Sequence, residues 1–205
     1  LIKLGYAIEV CKTVEYALHC YATSKKLTTT ISSDGKPFDV FNYAVDSLPL
    51  LFHSLFILEK YQPGKGNEFV EIYKPWLEFE IKKFFECVVD PSTGLVKKGT
   101  NFSSIKDHAK RSVSCYDVCM CGLLSGYLDL FELANPLKNF KYPTLIKKYF
   151  WKDNYFVDSL GSNVISGDAN VFPYWPGLIA DKERMKLSMK AIQQEGDFVG
   201  FIKPE

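Results

Sequence analysis

Three side chains able to carry proton-transfer chemistry lie close together, Asp107, His108 and Arg111, in the stretch TNFSSIKDHAKRSVSCYDVCMCG (residues 100–122). A carboxyl group can give or take a proton, an imidazole can donate to a hydroxyl, and a guanidinium can hold several acceptors at once. The polar half of the stretch reads as a loop. The half from Ser112 onward reads as an apolar helix, so the three groups are expected at a helix mouth. Asp107 is the candidate proton donor. To stay protonated at neutral pH it needs apolar walls or a like charge such as Asp46 nearby. Arg111 would oppose that if it touched Asp107.

Other candidates are spread along the chain. Asp46 stands just before a helix start, at its positive end, where it either caps the helix or faces a pocket. Tyr116 and Asp117 follow the Asp107 loop. Further on, Ser166-Gly167-Asp168-Ala169-Asn170 sets short polar side chains on a glycine turn ahead of the rings of Phe172, Tyr174 and Trp175. Asp168, Asn170 and Trp175 are read there as ligand contacts, with a plain turn role as the alternative for Asp168. Cys115, Cys119 and Cys121 lie close together, but no C-x-x-C pair or second ligand pair accompanies them. They are read as buried small residues, and no metal or other cofactor is expected.

The elements that must position these groups follow from hydrophobic spacing. Residues 5–22 repeat apolar side chains at helical intervals through Ile8, Cys11, Val14, Leu18 and Tyr21. KKLTTTISSDGKP then reads as a loop. A second helix starts near Ser47, taken as its N-cap, with Pro49 in the first turn and a stripe of Leu48, Leu51, Phe52, Leu55 and Leu58. A third covers 68–89 through Phe69, Ile72, Tyr73, Trp76 and Phe84, with Pro75 kinking or restarting it. A fourth spans Ser112–Ala134, with Val113, Tyr116, Cys119, Leu123, Tyr127, Leu130 and Phe131 toward the core. A β-hairpin is expected near 155–172, and a last helix after Asp181. Short turns thus alternate with long polar loops, as helical hairpins with a loop-built site require. The fold class is all-α.

Composition narrows the partners. The chain has 205 residues, a net charge of +1 and 24% charged residues, a balance that favours neither nucleic acid nor an anionic membrane as partner. No apolar run reaches the roughly 20 residues of a membrane span. LIKLGYAIEV lacks the form of a signal peptide, so a cytoplasmic site is expected and the Asn101-Phe102-Ser103 sequon carries little weight.

DGKPFDVFNYAVDSLPLL resembles the stretch of glucoamylase-like and glycogen-debranching glucosidases in which a G-x-x-P turn precedes a Y-x-x-x-D helix start. Ser104, Asp107 and Arg111 match the S-x-x-D-x-x-x-R pattern of trehalases and related processing glucosidases. Together these motifs resemble the six-hairpin glycoside hydrolases, over about residues 30–200 in order of elements. Lys106 departs from them, since a tryptophan commonly precedes the catalytic Asp. Tyr116-Asp117 also replaces an amide-rich pattern of the debranching enzymes. The resemblance implies part of an (α/α)6 toroid and an inverting hydrolase acting on an α-glucoside or related saccharide. Asp107 is then its general acid, and Asp46, His108, Arg111, Tyr116, Asp117, Asp168, Asn170 and Trp175 bind sugar. A chain 15% aromatic suits such a cleft, although rings between helices account for most of them. In these enzymes the base follows a segment resembling GDFVGFIKP. Residues 1–205 are therefore expected to be a single domain, incomplete at the C-terminus and also open to extension at the N-terminus, with a further protein chain or self-association completing the barrel. The alternative is a non-catalytic helical carbohydrate-binding or scaffold protein.

Overall fold

The computed structural model describes residues 1–40, 42–100, 102, 111–175 and 177–195. Asp107, His108, Ser104, most of the sequon and the GDFVGFIKP segment lie outside the described residues. Among those described the chain is mostly helical, with seven α-helices and two short antiparallel strand pairs. It divides into two compact units, taken in turn below.

The first unit comprises Leu1–Val88, Phe102–Asp107 and Leu124–Lys138. It contains α1 (Ala7–Ser24), α2 (Ser47–Tyr61) and α3 (Lys65–Val88). Their buried stripes, led by Leu18, Phe52, Leu55, Leu58, Leu77 and Phe84, form the core. The stretch expected as a plain loop carries a strand pair, β1 (Thr30–Ile31) with β2 (Pro37–Phe38), closed around Asp34-Gly35. α2 and α3 cross so closely at Gly66 that a Cβ there would stand 2.4 Å from the Leu55 carbonyl oxygen.

Three boundaries differ from the sequence reading. The N-cap of α2 is Asp46 rather than Ser47. α3 begins at Lys65, a turn earlier than expected, because the Glu59 carboxylate accepts from the backbone N–H groups of Gly64 (2.8 Å) and Asn67 (3.0 Å). Those same bonds hold the Glu59 pKa down. Nor does Pro75 restart α3, which runs unbroken to Val88 with Phe69, Val70, Trp76 and Leu77 buried on either side of the proline. Tertiary packing outweighs the lost backbone bond. Ile72, expected in the core, is 59% exposed, and Ile8 of α1 also faces outward.

Glu80 of α3 is fully buried beside Lys83, whose Nζ stands 3.2 Å from its Oε2. Burial raises the Glu80 pKa, while Lys83 and the Leu27 backbone N–H oppose the rise. A raised carboxyl pKa means that the folded state binds the proton more tightly than the unfolded one. That contribution is complete below the unfolded value, about 4.3, and is lost as pH climbs through the folded value. Glu80→Gln is therefore expected to gain on the wild type in urea midpoint as pH rises above about 4.3. A difference that stays flat or runs the other way would count against this account.

The second unit comprises Val89–Asn101, His108–Leu123 and Asn139–Glu205. Its first part is a turn in which Asp90 accepts from the Ser92 N–H (2.9 Å) and hydroxyl (2.6 Å). Gly94, at φ 76, lies so close to the Phe140 ring that a side chain has no space. α4 (Cys115–Leu130) starts here and continues into the first unit. From Cys115 to Leu124 every residue is buried, so this helix has no solvent face there. Leu130, expected in the core, is exposed.

α5 (Tyr142–Phe150) runs into a hairpin, β3 (Trp151–Lys152) with β4 (Tyr155–Phe156). The hairpin thus reaches the expected region through β4, a Val157–Ile165 antiparallel bridge follows, and residues 167–171 form a short helix, α6 (Gly167–Val171). Asp153 makes the tight turn possible by adopting φ 52, which Asp tolerates better than most residues. α7 (Lys182–Glu195) starts as expected, with the Asp181 carboxylate accepting from the Arg184 N–H at 3.0 Å.

Candidate functional site

Asp46 belongs to the first unit. Arg111, Tyr116, Asp117, Asp168, Asn170 and Trp175 belong to the second. Asp107 and His108 lie outside the described residues.

In the first unit Asp46 and Ser47 border a groove of about 430 Å³ beside α1, with Tyr21, Thr28 and Thr29 on its wall. The helix start explains how Asp46 comes to be there. Asp46 occupies the N-cap position of α2 and makes no side-chain cap hydrogen bond there. The Tyr21 hydroxyl donates to the Thr28 carbonyl at 3.0 Å and fixes that wall. Leu50 and Leu51 add apolar surface. The groove thus mixes polar and apolar residues, and the hydroxyls of Thr13, Thr28 and Ser54 on it donate to backbone carbonyls.

Phe102 is the last described residue before 103–110. It packs edge-on against Tyr43 with ring centroids 6.5 Å apart, and Lys83 Nζ lies 5.9 Å from the Tyr43 ring. On the other side of that stretch, in the second unit, Arg111 is held differently. Its guanidinium donates to Asp168 Oδ2 at 2.7 Å and to Asp158 Oδ1 at 3.2 Å, with its side chain only 7% exposed. Burial works against the charge, but Asp168, and then Asp158 and Asp117, hold the Arg111 pKa above its ordinary value. This is a charge-assisted clasp in a place where water cannot share the load.

Both carboxylates of the clasp are rooted in backbone. The Asp158 N–H donates to the Val164 carbonyl (2.9 Å), and its carbonyl accepts from Cys115 N–H (2.9 Å) at the start of α4. Asp168 rides on α6, which Asn170 fastens to β4: its amide accepts from Phe156 N–H at 2.7 Å and donates to Phe156 O at 2.8 Å and Ser166 O at 2.9 Å.

These contacts place several of the expected site residues. Asn170 is fully buried and bonds backbone groups of Phe156 and Ser166. Arg111 and Asp168 engage each other inside the unit. Tyr116 is buried edge-on against Phe172 with centroids 4.6 Å apart, and Asp117 is buried one residue further along α4. Trp175 keeps an open face, 40% exposed, and packs against Phe172. Asp158 was missed in the sequence, because no local pattern marks it; only its 47-residue separation from Arg111, closed by folding, reveals it.

Cys115, Cys119 and Cys121 are buried side chains. Cys115 Sγ lies 3.8 Å from the Ala169 carbonyl oxygen, and burial pushes the thiols of Cys115 and Cys121 well up. Among the described residues no group of three or more His, Cys, Asp or Glu could hold a metal ion. None of their helices is long and apolar enough to cross a membrane.

No family model, no curated protein and no solved structure matches this chain.

Proposed function

We propose that the chain is the acid-bearing part of an inverting glycoside hydrolase of the six-hairpin type, acting on an α-glucoside or a related saccharide. Asp107 serves as general acid, and Asp46 holds sugar hydroxyls. The observation that carries the reading is the placement of Asp46. Asp46 makes no cap bond to α2 and borders a groove with Tyr21, Thr28 and Thr29, which supports a ligand-facing place for it. The helical architecture and the clasp on Arg111, four residues after Asp107, are compatible with a loop-borne acid at a helix mouth. In this reading the helices belong to an (α/α)6 toroid, and the carboxylate that activates water stands roughly 6.5–9.5 Å from Asp107, supplied by another segment or a further chain.

The test is turnover of aryl α-glucosides and α-linked disaccharides, with the anomer of the released sugar followed by proton NMR. Inversion gives the β-anomer first. Retention, or saccharide binding in calorimetry without turnover, would sink the catalytic assignment. Absence of both binding and turnover would sink the saccharide reading altogether.

A further inference from the structure

We propose that Tyr21 is the stacking platform of the groove in the first unit, taking the C–H face of a pyranose ring. That the ligand is a saccharide rests on the reading above; that the ring is built as a platform rests on geometry.

Tyr21 stands in the last turn of α1, where Lys25 at φ 50 ends the helix and turns the chain back. The return is tight, since Lys26 N–H still bonds the Tyr21 carbonyl at 3.1 Å. It brings the Thr28 carbonyl to the phenol, which donates to it at 3.0 Å. Burial raises the Tyr21 pKa, which keeps on the oxygen the proton that makes this tether. The ring also lies nearly parallel to Trp76 of α3, with centroids 6.3 Å apart and planes at 16°. Trp76 is itself buried and gives a firm backing. A ring that only packs a core is sealed, as Tyr116 and Tyr142 are at 2% exposure. Tyr21 stays half-buried and lines the groove of about 430 Å³, a volume typical of a small-molecule site.

A pyranose carries hydroxyls round its edge and C–H groups on its faces, and the negative face of an aromatic ring attracts the latter. The groove supplies both halves of that pattern. Val14 and Leu51 add apolar surface to the wall that holds the Tyr21 ring. The hydroxyls of Thr13, Thr28 and Ser54 give their protons to the carbonyls of Glu9, Thr30 and Leu50, at 2.8, 2.9 and 2.9 Å. Their oxygens remain as acceptors, the partners that sugar O–H groups require. A ring already backed and tethered loses little freedom when a ligand settles on it, so the contact costs little entropy.

Calorimetry and NMR on the intact protein, with maltose as the probe, test the proposal. The backbone amides of Thr28, Thr29 and Ser54 are expected to shift on binding, and sugar C–H protons to move upfield under the ring current of Tyr21. Tyr21→Leu should weaken maltose binding at least about tenfold and abolish the upfield movement. Tyr21→Phe, which keeps the ring and loses the tether, should stay within about threefold of wild type. Sorbitol, with hydroxyls but no ring face, should bind at least about tenfold more weakly than maltose. Equal maltose affinity in wild type and a folded Tyr21→Leu protein overturns the platform and leaves the saccharide reading standing. If the Leu variant does not fold, the wild-type spectra decide, because shifted groove amides without upfield sugar protons mean an unstacked ligand and overturn the proposal. Stacked binding without turnover supports the platform and removes the hydrolase reading. No binding by the wild type overturns both.

Discussion

Asp107→Asn is expected to lower kcat on an unactivated α-glucoside by about 10²–10⁴-fold, the usual contribution of a positioned general acid. An amide of nearly the same shape can still donate a hydrogen bond, but it cannot release a proton to the departing oxygen. The loss should therefore follow the leaving group. A substrate whose leaving group departs as a stable anion needs little protonation, so the variant should lose far less on a glycosyl fluoride than on a disaccharide. The alkaline limb of the kcat/KM profile should vanish with it, because that limb reports deprotonation of the acid in the free enzyme. Steady-state kinetics on the two substrate classes across pH measures both effects. An equal loss on both substrates, with the pH profile unchanged, would make Asp107 a binding residue and not the acid.

Replacing Asn170 is the stability change of largest expected effect. Asn170 is fully buried and makes three short hydrogen bonds to backbone groups of Phe156 and Ser166. Asn170→Leu fills much the same volume but leaves one N–H and two carbonyls inside the protein without that partner. At about 1–3 kcal/mol for each of the three stranded groups, the loss should come to about 3–9 kcal/mol, a large share of the 5–15 kcal/mol typical of a domain. Asn170→Asp separates shape from hydrogen bonding. It keeps the acceptor for Phe156 N–H but turns an oxygen toward two carbonyl oxygens, and it buries a charge. Its deficit should be at least as large at neutral pH and shrink on acidification, since the protonated acid can again donate to one carbonyl. Chemical unfolding followed by circular dichroism at the two pH values reads this out. A Leu variant within about 1 kcal/mol of wild type would show that the clasp on β4 carries little of the stability.

Legibility in the sequence divides along a physical line. The stripe Leu48, Leu51, Phe52, Leu55 and Leu58 identifies α2 because a helix with one buried face repeats every 3.6 residues. The same periodicity marks α1, α3 and α4, and Asp181 marks the start of α7. Periodicity was a poorer guide to depth. Ile8, Ile72 and Leu130 match their stripes and are exposed, because what covers a stripe depends on the neighbouring elements. The start of α3 depends on Glu59, a carboxylate on the preceding helix whose bonds across the turn no propensity scale records.

The stretch 100–122 shows the division most clearly. Residue types and spacing single out Asp107, His108 and Arg111 as groups able to do chemistry, and the motif around Asp46 as their companion, since those choices rest on local order. The partners of Arg111 are a tertiary matter. Asp158 and Asp168 stand 47 and 57 residues further on, and a guanidinium in the sequence looks the same whether it meets sugar, solvent or two buried carboxylates. Asn170, likewise, has the composition of a ligand-binding turn and the contacts of a backbone strut. Sequence specified which side chains were available and which helices would carry them. Burial and the pairing of distant groups, which exist only after the chain has closed on itself, decided which of them hold the structure together.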